Sequence, residues 1–288
     1  MIAFYGQGGL GNQLFQYAAA RRLALNHDCH AVLDPYWFGN PLPRETPRPL
    51  ELTRYAVVMR VASEFEQRRW KWMRGLLARH VRPLHPLHLV QEQGFGVQKT
   101  ALTAPRNSYL MGFWQSEAYF TDIRSHLMRE LTPHAPPSPA DQAVIELIGK
   151  DTAVSVHVRR GDYVTLQSAS AFHGLCSLDY YRAAIQHVAE RVENPVLFVF
   201  SDDPDWTRAN LSSPFPTHYV DHNRPADAFQ DLRLMSLCRH HVIANSSFSW
   251  WGAWLAEQQG VVVAPERWYA ADRPTPDLLP PHWARIAA

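Results

Sequence analysis

Two consecutive arginines follow an apolar run near the middle of the chain. Residues 157–162 read His-Val-Arg-Arg-Gly-Asp and come directly after Ala-Val-Ser-Val, which is typical of a buried strand. Alternation along that strand places His157 and Arg159 on one face and Arg160 on the other until the chain turns. Guanidinium groups suit a diphosphate because each combines a planar pair of donors with a permanent charge, so the motif predicts stabilisation of a diphosphate leaving group. An ion pair from Arg160 to Asp162 that closes the turn is the structural alternative.

A serine-rich segment follows a second apolar strand. Residues 245–249 read Asn-Ser-Ser-Phe-Ser after Val-Ile-Ala and lead into an expected helix. Hydroxyls and first-turn amides at a helix start form the kind of site that phosphates occupy. We therefore expect Ser247 and Ser249 to contact a phosphate or a sugar, with Ser246 and Phe248 beside them. Capping of the helix by the same hydroxyls is the structural alternative.

Two acidic residues, Asp202 and Asp203, end a third apolar strand, Val-Leu-Phe-Val-Phe. Asp203, Pro204 and Asp205 match an Asp-x-Asp metal-binding pattern. Asp203 before a proline is also typical of the first residues of a helix, with the aspartate as the N-cap. A carboxylate at this strand end could instead accept both the N1 and N2 hydrogens of a guanine base.

The N-terminal residues form a strand, a glycine loop and a helix. The loop at residues 6–11 matches Gly-x-Gly-x-x-Gly, and Asp34 ends the next expected strand at about the spacing of a ribose-binding acid. This pattern would make the chain a nicotinamide-dependent oxidoreductase. The continuation Asn12-Gln13 argues against that, because we expect these polar amides to point into a cleft rather than to pack the helix on the strand.

Composition excludes several classes of protein. Among 288 residues, 28 basic and 27 acidic side chains leave a net charge of +1, which gives no bulk field for nucleic acid. The three cysteines form no Cys-x-x-Cys pair, so we expect neither a disulfide framework nor a thiolate metal site. We find no signal peptide and no apolar stretch of about 20 residues. We therefore expect a cytoplasmic protein whose contact with a membrane would be peripheral.

The expected elements alternate between strand and helix, most regularly in the second half of the chain. We predict strands at residues 1–5, 31–34, 109–114, 153–158, 196–200, 241–244 and 261–264, and helices at 12–25, 63–80, 117–131, 141–149, 178–192, 225–239 and 250–258. Prolines exclude regular structure between Asp34 and Leu50. The alternation predicts an α/β fold with parallel sheets. Four prolines in residues 132–139 indicate a linker between two Rossmann-like domains, at residues 1–138 and 139–288, with any ligand in the crevice between them.

The sequence at residues 157–163, His-Val-Arg-Arg-Gly-Asp-Tyr, resembles the signature of the α-1,2-, α-1,6- and protein O-fucosyltransferases. Three further segments, at residues 8–18, 200–204 and 245–254, are similar to the remaining blocks of the α-1,2 branch and occur in the same order. The chain is thereby identified as a member of the bacterial α-1,2-fucosyltransferases of glycosyltransferase family 11. The resemblance runs from about residue 6 to 268, although residues 36–108 contain no recognisable block.

The resemblance implies a GT-B-type fold, an inverting reaction without a metal ion, GDP-fucose on the C-terminal domain and a galactose-containing glycan on the N-terminal one. A non-catalytic protein that binds GDP or a glycan is the alternative to an enzyme. By position, Arg159 would bind the β-phosphate, His157 would lie near the nucleotide and Asn12 would reach fucose or phosphate. The guanine role falls first to Asp202, and Asp203 is the second candidate for this substrate contact. The remaining expected substrate contacts are Gly9, Gly11, Arg160, Ser246, Ser247, Phe248 and Ser249. Asp162 and His157 are the candidates for a general base, and the sequence does not choose between them.

A second hypothesis concerns the predicted helix that contains Arg68-Arg-Trp-Lys-Trp-Met-Arg74. Interleaved basic and aromatic residues could place this helix on anionic lipid near a lipid-linked acceptor. A solvated helix face is the structural alternative.

Overall fold

A computed structural model describes residues 1–40, 46–74, 86–161, 174–270 and 273–288. The chain forms two compact units, of which the first comprises Met1–His134 with Thr275–Leu278 and the second Ala135–Pro274 with Leu279–Ala288. The division after His134 falls inside the proline-rich segment at residues 132–139. None of the helices in the described residues has the length and hydropathy needed to span a bilayer.

The first unit contains a parallel sheet of five strands in the order β3-β2-β1-β5-β4. The strands are β1 Ile2–Tyr5, β2 Ala31–Asp34, β3 Met59–Val61, β4 His88–Gln91 and β5 Ser108–Met111. The helices are α1 Leu10–Asn26, α2 Tyr36–Gly39, α3 Glu64–Arg74, α4 Lys99–Leu102 and α5 Arg124–Glu130, with 3-10 turns at Leu52–Arg54, Glu117–Tyr119 and Thr121–Ile123.

Helices cover both faces of this sheet, which explains its apolar, unalternating strands. On one face, Phe4 of β1 meets Tyr17 of α1 with ring centroids 6.5 Å apart. On the other face, Trp70 and Met73 of α3 lie in one cluster with Tyr109 of β5. Trp70 is therefore part of the core. Helix α3, for which the sequence suggested membrane binding, exposes only the side opposite Trp70 to solvent.

The second unit contains a parallel sheet of six strands in the order β8-β7-β6-β9-β10-β11. The strands are β6 Thr152–Val158, β7 Pro195–Ser201, β8 Thr217–Val220, β9 His240–Val242, β10 Val262–Pro265 and β11 Ala284–Ile286. The helices are α6 Pro139–Ile148, α7 Leu178–Ala189, α8 Pro204–Asn210, α9 Ala228–Leu237 and α10 Ser247–Trp254, with a 3-10 turn at Pro225–Asp227. Counted along the chain, this is the order 3-2-1-4-5-6 of dinucleotide-binding folds.

Two apolar clusters pack against the two faces of this second sheet. Val154, Val156 and Val158 of β6 pack with Tyr180 of α7, whereas Phe198 and Phe200 of β7 pack with residues of α9. A third group joins Trp250, Trp251 and Trp254 of α10 to Trp283, with neighbouring ring centroids between 5.2 and 6.0 Å apart. Helix α10 is thus fixed by aromatic packing, which holds its first turn in place.

The structure corrects several sequence predictions. Residues 117–131 form two 3-10 turns and the short helix α5 rather than one helix, and α2 forms within the proline-rich stretch that was expected to lack regular structure. The predicted helix at residues 63–80 begins at Glu64 and is described as far as Arg74; residues 75–80 lie outside the described residues. Strands of three or four residues, β3, β4, β8 and β11, escaped prediction because such short runs carry little periodic signal.

Candidate functional site

Arg159 and Asp202 are brought together by the pairing of β6 with β7. Val158 and Ser201 are register partners at the carboxyl ends of these strands, so the next residue of each chain segment leaves the sheet at the same place. Arg159 Nη1 lies 2.7 Å from Asp202 Oδ2, and the Arg160 backbone N–H donates to Asp202 Oδ1 at 2.8 Å. The two side chains retain 22% and 25% of their exposure. The pair is therefore fixed at the strand ends and remains accessible.

Gly161 makes room for this carboxylate. A Cβ atom built on Gly161 would overlap Asp202 Oδ2, so a larger residue would force one of the two to move. A larger residue at this position would therefore disturb the close approach between the two strand ends.

Arg160 is held by two residues that follow β7. Its Nε lies 3.3 Å from Asp203 Oδ2, and its guanidinium carbon lies 3.4 Å from the centre of the Trp206 ring. Asp203 occupies the N-cap position of α8, but within the described residues its side chain makes no capping hydrogen bond. Trp206 was missed because its contact with Arg160 depends on strand pairing. The predicted partner of Arg160, Asp162, lies outside the described residues.

His157 is buried behind the arginines. It is 5% exposed, and its ring centroid lies 5.5 Å from that of Phe248. Burial lowers the pKa of His157 to about 4; the Asp202 carboxylate opposes this shift and Arg159 reinforces it. The imidazole is therefore neutral at pH 7, and its Nδ1 has no hydrogen-bond partner among the described residues. A buried ring with this pKa is poorly suited to take up a proton beside Arg159.

The serine-rich segment joins β9 to α10 next to these residues, because β9 is the other neighbour of β6. Ser246 is the N-cap of α10, and its Oγ accepts from the Phe248 N–H at 3.3 Å. Ser247 begins the helix and is partly exposed. Ser249 is fully buried and its hydroxyl donates to the carbonyls of Ala244 and Ser246. The expectation that Ser249 contacts a ligand is therefore corrected, whereas Ser247 remains accessible.

Asn245, which sequence reasoning left without a role, anchors two further segments. It is 3% exposed, and its Nδ2 donates to the carbonyls of Gly174 at 3.3 Å and Trp268 at 3.2 Å. Its Oδ1 accepts from Cys176 Sγ at 3.5 Å. Burial raises the pKa of the Cys176 thiol to about 11, so this cysteine is held as an uncharged donor. Hydrogen bonds from Asn245 thus connect the start of α10 to the segments that contain Gly174 and Trp268.

The glycine loop of the first unit is built around Asn12 and Gln13. Gly8 has a φ of +79°, and a Cβ there would meet Asn12 Nδ2 at 2.7 Å. Asn12 Oδ1 accepts from Gln115 Nε2 at 2.8 Å. Gly9 is the N-cap of α1, and Gly11 is buried in the first turn of that helix.

Gln13 does not point into a cleft, as the sequence had suggested. It is fully buried, and its Nε2 donates to the carbonyls of Gly8 and Pro49, both at 2.9 Å. Its Oε1 accepts from the backbone N–H groups of Glu51 and Leu52 at 2.9 and 3.3 Å. A buried carboxamide can satisfy two carbonyls and two amides at once, so Gln13 fastens residues 49–52 to the glycine loop.

Asp34, the proposed ribose-binding acid, is occupied by other groups. It is fully buried, forms an ion pair with Arg74, and accepts from the Tyr109 hydroxyl at 2.6 Å and the Tyr36 N–H at 3.1 Å. A carboxylate with these partners is not available to a cofactor, which argues against the oxidoreductase alternative.

In the part of the chain that the structure describes, no three His, Cys, Asp or Glu side chains gather as a metal site.

The two units, each with a parallel sheet and polar residues at the strand ends, have the α/β architecture of the GT-B type. Residues 89–287 match the family described as Glycosyl transferase family 11. The chain belongs to this family and is a glycosyltransferase.

Curated relatives and a solved structure agree with the family. An α-1,2-colitosyltransferase of Escherichia coli is 38% identical over 182 residues, which cover 61% of this chain and 61% of that protein. The O-antigen biosynthesis glycosyltransferase WbnK of Escherichia coli is 31% identical over 289 residues, covering 92% and 94%. The match thus spans about three fifths of the first relative and nearly all of the second. The structure of Arabidopsis thaliana FUT1 in complex with GDP covers 94% of this chain and 72% of that one, with a TM-score of 0.53 and 11% identity, which shows a similar fold.

Proposed function

We propose that this protein is a galactoside α-1,2-fucosyltransferase that moves L-fucose from GDP-β-L-fucose to a galactose hydroxyl of a glycan, with inversion and without a metal ion. The observation that carries the proposal is the placement of Arg159 by Asp202 at the carboxyl end of β6. In the strand order of the second unit, the switch point lies between β6 and β9, where nucleotides bind in folds of this order. Arg159 follows β6, and Ser246 and Ser247 follow β9.

The reaction would break the bond between the fucose anomeric carbon and the β-phosphate oxygen. Negative charge then grows on the departing β-phosphate, and Arg159 would stabilise it with two parallel donors. Arg159 would supply the positive charge that metal-dependent enzymes draw from a cation, which supports metal independence. Asp202, which now binds both Arg159 and the Arg160 amide, would have to release part of these contacts to bind guanine.

An acceptor hydroxyl would attack the anomeric carbon from the opposite face and lose its proton to a general base. The low pKa and burial of His157 count against it as that base. Its neutral ring, packed on Phe248, suits a role in shaping the nucleotide site. Asp162 remains the other candidate.

A screen of galactose-terminated acceptors with GDP-fucose tests the proposal. We expect GDP release and a fucosylated product in the presence of excess EDTA, and we expect calorimetry to detect binding of GDP but not of NAD. Absence of GDP binding together with absence of transfer would contradict the proposal, and loss of transfer in EDTA would contradict metal independence alone.

The colitosyltransferase relative supports a second candidate donor, one that carries a colitosyl group in place of fucose. The two sugars differ in the hydroxyl groups that a site can bind, so the same acceptor should be tested with both donors. A higher kcat/KM for GDP-fucose supports the first candidate, and a higher value for the colitosyl donor supports the second.

We further propose that the enzyme is cytoplasmic and binds anionic membrane, where a lipid-linked acceptor would be found. The outer side of α3 carries Phe65, 67% exposed, with the exposed basic residues Arg68, Arg69 and Lys71. Arg69 lies over the Phe65 ring at 5.7 Å. An exposed aromatic ring flanked by cations matches the chemistry of an anionic lipid surface. Flotation with phosphatidylglycerol vesicles tests this: the wild type should float and Phe65→Ala with Arg69→Ala should not, whereas a wild type that stays at the bottom contradicts it.

A further inference from the structure

The turn that follows β5 lies beside the glycine loop of the first unit. Strand β1 is the centre of that sheet, with β2 on one side and β5 on the other. The chain runs from β1 through α1 to β2, and the β4-β5 pair lies on the opposite side of β1. A crevice at the carboxyl ends of β1 and β5 is therefore the switch point of the first unit, where α/β sheets bind ligands. The loop after β1 and the turn at residues 112–116 flank it.

A hydrogen bond ties these two segments together. Gln115 Nε2 donates to Asn12 Oδ1 at 2.8 Å, and both residues are partly exposed. The bond engages the oxygen of Asn12. Gly8, which lacks a side chain, leaves the space that the Asn12 amide fills. The carboxamide pair is thus held in one orientation at the mouth of the crevice.

The turn itself is rigidly built. Trp114 has a φ of +57°, in the left-handed region that non-glycine residues rarely adopt. The Glu92 carboxylate accepts from the backbone N–H groups of Phe113 at 2.6 Å and Trp114 at 2.9 Å, and Trp114 is buried against Tyr119 with ring centroids 5.6 Å apart. Such a conformation persists where the surroundings determine it, and it is found more often at ligand sites than elsewhere.

The turn exposes the ring of Phe113 to solvent next to the carboxamides of Asn12 and Gln115. Phe113 is 40% exposed although it lies between buried residues of β5 and the buried Trp114. Sugars present apolar C–H faces and many hydroxyls, so a rigid exposed ring beside oriented carboxamides is suited to bind one. The ring would pack on the apolar face of the sugar, and the amides would bind its hydroxyls.

We propose that Phe113 and Gln115, with Asn12, form a subsite for the acceptor sugar on the first unit. The proposal rests on the proposed function, because it takes the chain to transfer a sugar to a glycan. It assigns an aromatic contact to Phe113 and an amide contact to Gln115.

The test uses the full chain and the best galactose-terminated acceptor from the screen, with Phe113→Ala and Gln115→Ala. Each variant should raise the KM for the acceptor about tenfold, corresponding to loss of one well-made contact. In Phe113→Ala, the Kd for GDP and the slow hydrolysis of GDP-fucose without acceptor should stay within about twofold of wild type. Phe113→Tyr keeps the ring and should retain the acceptor KM.

Leu237→Ala is the control, since it also removes an exposed apolar side chain, at the end of α9 and away from any residue with a proposed role. It should leave acceptor KM, GDP affinity and melting temperature unchanged. An unchanged acceptor KM in both Phe113→Ala and Gln115→Ala would overturn the subsite, as would an equal loss of GDP affinity or a lowered melting temperature that accounts for the effect. A wild type that binds no GDP and transfers no fucose would instead remove the proposed function.

Discussion

Gly161 and Asp202 are so close that a single added methyl group would overlap the carboxylate and force one of the two residues to move. The same carboxylate holds Arg159 through its side chain and Arg160 through its backbone N–H. The position of the motif's arginines therefore depends on the absence of a side chain one residue further along.

Substitution of Gly161 by alanine should disturb this arrangement without affecting the core. We expect Gly161→Ala to lower kcat at saturating GDP-fucose by about tenfold or more, because Asp202 must move and Arg159 then loses its fixed position. Steady-state kinetics measures the effect. Gly149→Ala is the control, since a Cβ there would meet only ordinary contacts at 3.5 Å or more. Equal activity of the two variants would show that Asp202 can move without consequence.

Removal of the Arg159 guanidinium should lower kcat far more than removal of a surface arginine. We expect Arg159→Ala to reduce kcat by about 10²–10³-fold, the usual cost of losing a donor to a developing anion, and Arg159→Lys to recover part of it through charge alone. Arg208→Ala, which removes an exposed partner of Asp221, should be neutral. Wild-type turnover in Arg159→Ala would contradict the proposed role.

Two acids of the second unit, the buried Asp141 and the half-buried Asp231, should make opposite contributions to stability. Asn223 Nδ2 donates to Asp141 Oδ1 at 2.9 Å and to Asp231 Oδ1 at 2.8 Å. Burial raises the pKa of Asp231 to about 6. Burial also acts to raise the pKa of Asp141, but hydrogen bonds from Ser138, Asn223 and His222 outweigh it and lower that pKa to about 2.

The sign of each contribution follows from the protons bound by the folded and unfolded states. Asp231 binds a proton more readily when folded, so its contribution to stability is present below about pH 4 and is lost as the pH rises through 6. Asp231→Asn should remove this loss and raise the free energy of unfolding at pH 7 by about 1–2 kcal/mol. Urea denaturation at pH 4.5 and pH 7 measures it, and a destabilisation at pH 7 would contradict it.

Asp141 provides the matched comparison. Its contribution is present above its ordinary pKa of 3.8 and is lost as the pH falls toward 2. Asp141→Asn should therefore destabilise the protein at pH 7, and the difference from wild type should shrink in acid. If both variants change the free energy of unfolding in the same direction at pH 7, the pKa values of Asp141 and Asp231 are not shifted in opposite directions, and this prediction is contradicted.

Gln13 should be a structural residue of the first unit. Gln13→Leu is close to isosteric but leaves two buried amides and two carbonyls without their partner. We expect a loss of about 2–4 kcal/mol in the free energy of unfolding, measured by urea denaturation. Gln186→Ala, on the exposed side of α7, is the control and should change the free energy of unfolding little. A loss in Gln13→Leu no larger than that of the control would contradict this role.

The sequence predicted the parts of the fold that local patterns determine. Apolar runs such as Val154 to Val158 indicated buried parallel strands, and the arginines and aspartates at their ends marked a polar strand edge. The sequence could not predict that Arg160 lies on Trp206, because that contact needs the register of β6 against β7 across 46 residues. It also misjudged Gln13 and Ser249, since a polar side chain can satisfy buried backbone groups as well as a ligand.

The contact between Arg159 and Asp202 has a consequence for the choice of ligand. Any anion that approaches this guanidinium competes with an internal counter-ion that is already in place. A small anion such as inorganic phosphate gains little from that exchange, because it reaches few other groups. A larger molecule that contacts several strand ends at once can compensate for the displaced carboxylate, so the closed ion pair favours an extended ligand over the abundant small anions of a cell.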